Sequence, residues 1–371
     1  MTSSKALNVA LVYDRVNKWG GAERVLLVLH KIFPHAPLFT SVYDSDKAPW
    51  AKVFPKVYTS FLQKIPFAKN NHELLSVFMP LAFEQFDFTN YDLVISITSE
   101  AAKGIITHPQ TFHVCYCLTP NRYLYSAKEN YLNHPPKILN FPFFKVIAKP
   151  FVNYVRNWDQ MAAWRPDVMI AISRVVQKRI KKYYKRNVEL IFPPLSLDNR
   201  KEIKRTSGKE FYLVVSRLVA YKKVDLAIKT FNKLKVPLVI IGTGEQEEKL
   251  KRLANSNISF VKNLTDEDIS HYYFNTKALI MPQVEDFGLV AVEAQFYGTP
   301  IIAYNKGGVK DTVTDGVTGI LFKKQTTKSL LSAIKRFEKL SFSKEKLTQN
   351  AQRFRTSIFK RKLITLIAHG K

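Results

Sequence analysis

The chain has 371 residues, of which 46% are hydrophobic and 23% are charged, and its formal net charge is +27. This length favours two domains of roughly 150–200 residues each, and the composition excludes a disordered chain. The strong positive charge predicts an anionic partner such as nucleic acid, anionic lipid or a phosphorylated small molecule.

The cysteines and the apolar runs set expectations about the compartment. Cys115 and Cys117 are too few for a disulfide framework and have no metal-ligand spacing around them, which predicts buried free thiols and a reducing cytoplasm. The N-terminal apolar run is too short for a signal peptide, and no window approaches about eighteen uninterrupted apolar residues. We therefore expect a cytoplasmic protein without a membrane span.

The first half of the chain alternates between strand-like and helical patterns. The apolar run LNVALVY predicts a strand, and WGGAERV leads through two glycines into a helix. Further strands are predicted at YDLVISIT, FHVCYCL and DVMIAIS. Alternation of this kind predicts a parallel sheet with helices on both faces.

A second alternating series follows a break that is rich in proline and charge. Pro193 and Pro194 end the preceding run, so we place a linker at residues 192–207. Strands at FYLVVS, PLVIIG, ISFV, KALIMP, TPIIAYN and TGILF then alternate with helical segments. Residues 323–362 form a basic tail that is predicted to be helical.

This series predicts two doubly wound α/β domains that face a cleft. The predicted domains are 1–192 and 193–345, followed by a C-terminal helix in 346–371 that could pack back on the first domain. Ligands of such sheets bind beyond the carboxyl ends of the strands.

Two glycine-bearing loops are candidates for close approach to a ligand. Gly20 and Gly21 precede a helix N-terminus, where backbone amides can bind a phosphate, although a plain tight turn would look the same. Gly242 opens GTGEQE, which imitates a dinucleotide motif but lacks its third glycine. A nicotinamide enzyme is therefore not favoured, and these glycines are expected to let the chain turn close to a ligand.

Charged side chains follow two of the predicted strands. Arg217 and Lys222 in SRLVAYKKVD suit a diphosphate, the alternative being a solvated basic turn. Glu285 and Glu293 flank a helix that is predicted to begin near Gly288. Carboxylates there could bind the hydroxyls of a sugar and a ribose, or could be capping and salt-bridging groups.

Taken together, these motifs resemble those of glycosyltransferase family 4, whose members are retaining enzymes with the GT-B fold. EDFGLVAVE is similar to the paired-glutamate motif of the family, SRLVAYKKVD to its phosphate-binding segment and GGAERV to its N-terminal glycine loop. HVCYCLTPNRYLY and IFPPLSLD fit a subgroup of bacterial mannosyltransferases of surface-polysaccharide assembly. The resemblance covers Val9 to Phe322 and implies two Rossmann-like domains whose parallel sheets face an interdomain cleft.

The resemblance implies transfer of a hexose from a nucleotide diphosphate sugar to an acceptor hydroxyl, with retention of anomeric configuration. Arg217 and Lys222 would bind the diphosphate, Glu285 the donor sugar and Glu293 the ribose. The residues expected to bind the donor are Gly20, Gly21, Arg122, Gly242, Asp286, Phe287, Gly288, Leu289 and Glu293. GDP-mannose is the favoured donor, and neither a cofactor nor a metal is expected.

One position departs from the family pattern. Relatives carry a histidine that touches the donor sugar where this chain has Leu118. The leucine side chain cannot form a hydrogen bond, so the expected contact of this position with the donor sugar is lost. His113 and His108 are close in sequence, but we assign neither to this role, and a structural role is expected for His113.

Basic and aromatic residues alternate in two segments of the first half, YTSFLQKIPFAK and FPFFKVIAKPFVNYVRNW. This combination suits the headgroup region of an anionic membrane. We therefore expect peripheral contact with the cytoplasmic membrane face and a lipid-linked or saccharide acceptor. Core aromatics with a solubilising surface are the alternative.

Three other functions remain open on the sequence. A nucleic-acid-binding protein would also be basic, but zinc-finger, RNP and basic-zipper patterns are missing, so nucleic acid is not the expected partner. A sugar-nucleotide epimerase or hydrolase would share the fold. A non-catalytic nucleotide-sugar binder is compatible with Leu118.

Overall fold

The computed structural model describes residues 7–69, 72–126, 144–195 and 211–370. The chain divides into two compact units, of which unit 1 holds Met1–Phe192 and Lys360–Lys371 and unit 2 holds Pro193–Phe359. The predicted linker falls mostly outside the described residues, as do the first three residues of FPFFKVIAKPFVNYVRNW.

Unit 1 contains a parallel sheet whose seven described strands have the order β3-β2-β1-β4-β5-β6-β7. The strands are β1 (Val9–Tyr13), β2 (Leu38–Thr40), β3 (Val57–Thr59), β4 (Leu93–Thr98), β5 (Phe112–Cys117), β6 (Val168–Ala171) and β7 (Glu189–Leu190). The described α-helices are α1 (Gly21–Ile32), α2 (Met79–Glu84), α3 (Phe144–Ala162) and α4 (Arg174–Tyr184).

The long strands of unit 1 are those that the apolar runs predict. Every residue of β1 and β4 is buried, as expected for a parallel sheet that is covered on both faces. The short strands β2, β3 and β7 were not predicted, because two or three residues do not produce a recognisable period.

Unit 2 contains a second parallel sheet, whose six described strands have the order β10-β9-β8-β11-β12-β13. The strands are β8 (Tyr212–Val215), β9 (Leu238–Ile241), β10 (Ile258–Val261), β11 (Leu279–Met281), β12 (Ile301–Tyr304) and β13 (Gly319–Phe322). The described helices are α5 (Val224–Leu234), α6 (Glu247–Leu253), α7 (Asp266–Asn275), α8 (Leu289–Phe296), α9 (Val309–Thr312), α10 (Thr327–Phe337) and α11 (Lys344–Gln352), and α12 (Thr356–Gly370) begins in this unit.

The core of unit 2 lies on both faces of its sheet. Ile280 packs in one cluster with residues of α5 and α10, whereas its neighbours Leu279 and Met281 pack in another cluster with residues of α8. Side chains alternate between the faces because successive residues of a strand point in opposite directions. The predicted α/β architecture with two parallel sheets is confirmed.

The last helix joins the two units in sequence. The helical prediction for the basic tail is confirmed by α10, α11 and α12. The unit boundary lies inside α12, between Phe359 and Lys360, whereas the sequence placed the end of the second domain at residue 345. Helical periodicity continues through this boundary, so the sequence carries no local signal for it.

The buried thiols are also as predicted. Cys115 and Cys117 are both buried and unbonded in β5. Burial raises the pKa of the Cys115 thiol to about 11, which keeps it protonated near neutral pH. Among the described residues, no helix combines the length and apolar character that a membrane crossing requires.

The strand order determines where a site can form. In unit 1, β2 and β3 lie on one side of β1 and β4 lies on its other side. In unit 2, β9 and β10 lie on one side of β8 and β11 lies on its other side. Ligands of open α/β sheets bind at the carboxyl ends of strands at such a switch point. We therefore expect ligand-binding residues in the loops after β1, β4, β8 and β11.

Candidate functional site

The loop after β8 carries the two cations predicted to bind a diphosphate. The 3₁₀ turn Ala220–Lys222 follows the strand, and α5 begins two residues later. The guanidinium of Arg217 donates to the Tyr221 hydroxyl, and its Cζ lies 6.0 Å from the centre of the Tyr221 ring. Lys222 Nζ lies 5.4 Å from the same ring. Tyr221 therefore contacts both cations.

The loop after β11 brings Glu285 to Lys222. Their side chains form an ion pair, with 12% of the Lys222 side chain and 20% of the Glu285 side chain exposed. Gln283 Nε2 donates to the same Glu285 oxygen at 2.9 Å. The two residues meet because β8 and β11 are neighbours in the sheet, so that their loops leave the same edge.

A third loop, which follows β12, contacts the backbone of Glu285. Gly307 forms a parallel bridge with Glu285, and the Gly308 amide donates to the Glu285 carbonyl at 2.8 Å. Gly307 has a φ of 89°, and a Cβ there would lie 2.3 Å from that carbonyl oxygen. The sequence analysis assigned no role to this pair, although the dipeptide Gly-Gly after a buried strand is itself a signal for close backbone approach.

The helix predicted near Gly288 is confirmed. Gly288 is the N-cap of α8 with a φ of 93°, a conformation that favours glycine. The first amides of the helix, including that of Leu289, have no partner within the helix and point out of its N-terminus. Phe287 is buried and packs edge-on against Phe354 at 5.3 Å, while Asp286 is half-buried beside it.

Glu293 occupies a more enclosed position than Glu285. It lies on α8, is 7% exposed, and accepts a hydrogen bond of 3.0 Å from the Tyr273 hydroxyl. Tyr273 comes from α7 and stacks on Tyr297 at 6.1 Å. Glu293 is thus fixed by a neighbouring helix, whereas Glu285 is fixed by a cation.

Gly242 supports the site through the protein backbone. Its φ is 144°, and a Cβ would lie 1.9 Å from the Ser216 carbonyl oxygen. The next loop residue, Thr243, accepts from the Leu218 amide at 2.8 Å. We expected Gly242 to approach a ligand, but the close approach that requires glycine here is to the loop that carries Arg217.

The predicted residues of unit 1 also lie at the carboxyl ends of strands. Gly20 is the extended N-cap of α1, and Gly21 begins the helix. Leu118 follows β5 directly, and its amide donates to the Thr98 carbonyl at 2.8 Å. Arg122 lies in the turn after it and is half-buried.

Asp14, at the end of β1, is a residue that the sequence analysis missed. Its carboxylate accepts hydrogen bonds from the amides of Ser99, Glu100, Ala101 and Ala102 at 2.6–3.0 Å. It therefore stabilises the turn after β4. The available signal was a lone aspartate that directly follows a fully buried strand.

His113 has the expected structural role. It is fully buried in β5, and its Nε2 lies 2.8 Å from the Ser96 hydroxyl. Burial, together with the charges of Arg186 and Arg165, lowers the pKa of His113 to about 3.

A cavity of 860 Å³ in unit 1 lies apart from these residues. It is bordered by residues of β6, β7 and α12, among them Glu189 and Arg361, and by Arg186 in the loop before β7. None of the predicted site residues is among its described lining residues. Within the described ranges, His, Cys, Asp and Glu side chains form no group of three that could hold a metal ion.

Comparison with known proteins adds a family match. Residues 196–354 match the family model of glycosyl transferases group 1. A protein of Klebsiella pneumoniae, described as an uncharacterized 41.2 kDa protein in the cps region, is 26% identical over 215 residues, which cover 50% of this chain and 59% of the relative. A glycogen synthase of Pseudomonas savastanoi is 36% identical over 153 residues, which cover 39% of this chain and 31% of the relative. The chain thus spans only part of the length of these relatives.

Solved structures cover nearly the whole chain. Anabaena HepE in complex with UDP-glucose has a TM-score of 0.69 at 18% identity and covers 98% of this chain and 100% of its own. Sucrose-phosphate synthase of Thermosynechococcus elongatus has a TM-score of 0.72 at 17% identity and covers 97% of this chain and 98% of its own. The solved structures show the GT-B fold, and the family match lies within unit 2.

Proposed function

We propose that the protein is a retaining glycosyltransferase that moves a hexose from a nucleotide diphosphate sugar to an acceptor hydroxyl. The observation that supports this most is the meeting of Lys222 and Glu285, which come from loops after neighbouring strands at the switch point of unit 2. One group suits a diphosphate and the other suits sugar hydroxyls.

The proposed chemistry depends on charge stabilisation. Negative charge grows on the diphosphate as the bond to the sugar breaks, and Arg217, Lys222 and the first amides of α8 would stabilise it. Glu285 would hold the hexose and Glu293 the ribose. The acceptor oxygen bonds to the anomeric carbon, and a phosphate oxygen of the leaving group takes the acceptor proton, so no enzyme nucleophile is needed. Gly20, Gly21 and Arg122 are proposed to contact the donor or the acceptor from unit 1.

The donor is proposed to be a hexose linked to a nucleoside diphosphate. GDP-mannose is the first candidate because of the subgroup resemblance. UDP-glucose is the second candidate because the similar HepE structure contains it. Leu118 is apolar, so it offers no hydrogen bond for selecting between these sugars.

A thermal-shift screen against UDP-, GDP- and ADP-sugars tests the proposal. A ligand that binds only the folded state adds about 2.7 kcal/mol to the free energy of unfolding at a concentration of one hundred times its Kd. The melting temperature rises accordingly. We expect one nucleotide series to stabilise the protein. A protein that no nucleotide sugar stabilises, but that binds RNA tightly with strong salt dependence, would instead be a nucleic-acid-binding protein.

Turnover separates the remaining alternatives. Transfer to an added acceptor supports the transferase. Consumption of the donor without an acceptor indicates an epimerase or hydrolase, and binding without turnover across a panel of acceptors indicates a non-catalytic binder. The Klebsiella relative from a cps region supports starting with lipid-linked and saccharide acceptors of surface-glycan synthesis.

An anionic membrane surface is the proposed partner of unit 1. Phe78, Leu81, Phe151 and Tyr154 are between 46% and 55% exposed, and Lys149 is exposed beside them on α3. The buried residues of the segments that carry these side chains pack in one core cluster. Aromatic and basic side chains together favour a membrane interface.

Vesicle co-sedimentation tests this surface. The protein should pellet with vesicles that contain anionic phosphatidylglycerol at low salt, and less with pure phosphatidylcholine. Phe151→Ser with Tyr154→Ser should release it, while Val317→Ser, an exposed apolar position in unit 2, serves as the control. Failure of the wild-type protein to pellet with anionic vesicles would remove the membrane from the proposal.

A further inference from the structure

The position of Glu285 lets it act on the charge of a ligand as well as on a sugar. Its carboxylate is paired with Lys222 and accepts from Gln283 at 2.9 Å, and its backbone carbonyl accepts from the Gly308 amide at 2.8 Å. The side chain is 20% exposed. A negative charge is therefore held in place next to the cation that is proposed to bind the diphosphate.

Lys222 can serve both anions at once. An ammonium group has three donors, of which one is engaged with Glu285. If another binds the diphosphate, the carboxylate and the nearest phosphate share one cation and lie roughly 4–6 Å apart, since each charge-assisted hydrogen bond spans about 2.8 Å. At this separation, the negative charge of the Glu285 carboxylate repels the negative charge of the phosphate and weakens binding of the diphosphate.

A nucleotide sugar and a bare nucleoside diphosphate differ in that charge. The terminal phosphate of the bare diphosphate carries close to one more negative charge near neutral pH, because its second pKa is about 6. The sugar-linked phosphate lacks this charge, and the sugar adds hydroxyls that can donate to a carboxylate. Glu285 thus faces a hydrogen-bond donor in one ligand and a like charge in the other.

We propose that Glu285 is a specificity-determining residue that favours the sugar-bearing donor over the bare nucleoside diphosphate by charge repulsion. The same repulsion would help to expel the diphosphate after transfer. This inference rests on the function proposed above, since it requires the site to bind a nucleotide sugar.

Isothermal titration calorimetry on the full chain tests the proposal. The probes are UDP, its β-methyl ester and UDP-glucose, or the corresponding GDP and mannose series if the thermal-shift screen selects guanine. The methyl ester lacks the additional charge and also lacks the sugar, so it separates the two contributions. Glu285 should lower the affinity of wild-type protein for UDP relative to its affinity for the methyl ester.

The variant Glu285→Gln keeps the shape and removes the charge. We expect it to bind UDP about tenfold more tightly than wild type does, because one like-charge interaction is lost at a partly screened site. It should bind UDP-glucose no more tightly, and its affinity should rise more for UDP than for the methyl ester, because only UDP carries the additional charge. Glu248→Gln, which removes the same charge from an exposed position on α6, should leave all three affinities unchanged.

Two outcomes would contradict the proposals. If Glu285→Gln retains its melting temperature and binds UDP no more tightly than wild type, Glu285 is a sugar contact only and the charge proposal is wrong, while the proposed function stands. If wild-type protein binds neither nucleotide series, the proposed function itself fails, and the inference fails with it.

Discussion

The two units place charged residues at corresponding ends of their sheets but treat them differently. In unit 1, Lys103 follows β4 and pairs with Asp159 of α3, and each side chain is only 1% exposed. Lys103 Nζ also donates to the Glu100 carbonyl, and the Tyr125 hydroxyl donates to Asp159 at 2.9 Å. Burial alone lowers the pKa of Lys103, but the charge of Asp159 raises it above its ordinary value, so the pair stays ionised.

In unit 2, the corresponding charges are accessible. Lys222 and Glu285 are 12% and 20% exposed, and Arg217 is exposed. A ligand can reach these groups, whereas Lys103 and Asp159 are enclosed by protein. Burial therefore distinguishes a structural ion pair from a candidate binding pair, even when both follow strands of similar sheets.

The largest effect is expected from breaking the enclosed pair. Lys103→Met should lower the free energy of unfolding by about 3–5 kcal/mol, because it leaves Asp159 buried without its cation. Urea unfolding followed by tryptophan fluorescence measures this in unit 1, since Trp19, Trp50, Trp158 and Trp164 all belong to it.

A matched control distinguishes burial from charge in this experiment. Lys47→Met removes an exposed lysine that lies 3.7 Å from Asp44, and it should cost about 1 kcal/mol or less. Equal losses in the two variants would contradict the distinction between the enclosed and the accessible pairs.

The next effect concerns the accessible pair. Lys222→Ala should lower kcat by about 10²–10³, since it removes one group that stabilises charge in the transition state. The urea transition of the variant should remain close to that of wild type. Lys229→Ala, on the exposed side of α5, is the control, and turnover equal to wild type in Lys222→Ala would refute the assigned role.

A pH effect is expected in unit 1. Because the pKa of His113 is lowered from 6.5 to about 3, the unfolded chain binds this proton more readily. The stability from neutral His113 is complete above about pH 6.5 and is lost at up to about 1.4 kcal/mol per pH unit on acidification towards pH 3.

Urea unfolding of wild type, His113→Asn and the exposed-site control His35→Asn, each at about pH 7 and about pH 4.5, measures this dependence. His113→Asn should show a flatter dependence than wild type, and His35→Asn should follow wild type. Parallel behaviour of wild type and His113→Asn would show that His113 does not contribute.

The smallest effect tests the second glutamate of unit 2. Tyr273→Phe removes the hydrogen bond to Glu293 and keeps the aromatic ring that stacks on Tyr297. Nucleotide affinity should fall by about fivefold, corresponding to roughly 1 kcal/mol for one hydrogen bond. Calorimetry measures the nucleotide affinity, with Tyr272→Phe as the control. An affinity that Tyr273→Phe leaves unchanged would show that Glu293 does not contribute to nucleotide binding.

The sequence predicted elements better than it predicted contacts. The segment VDLAIKTFNKL predicts a helix that α5 matches at both ends, and α8 begins at Leu289, directly after the predicted Gly288. Both carry strong local signals, an apolar period in one and a glycine of positive φ in the other. Strands β2, β3 and β7 were missed because they are short and are defined by pairing with neighbours.

For the candidate site, the residue types could be chosen from the sequence but their partners could not. Lys222 and Glu285 were both selected, yet the sequence assigned them to a ligand and not to each other. Gly242 was selected for contact with a ligand, which stays a prediction, but its close approach to Ser216 was not predicted. Asp14 was missed because its partners lie in another loop.

The alternation of buried strands and amphipathic helices follows from the sequence, since those signals lie within a few consecutive residues. The pairing of Lys222 with Glu285, which is 63 residues away, and of Lys103 with Asp159, which is 56 residues away, arises from the folded structure. Such pairs depend on which strands are neighbours and on how deeply each loop is covered. Both properties arise from packing of the whole unit, and a local stretch of sequence does not specify them.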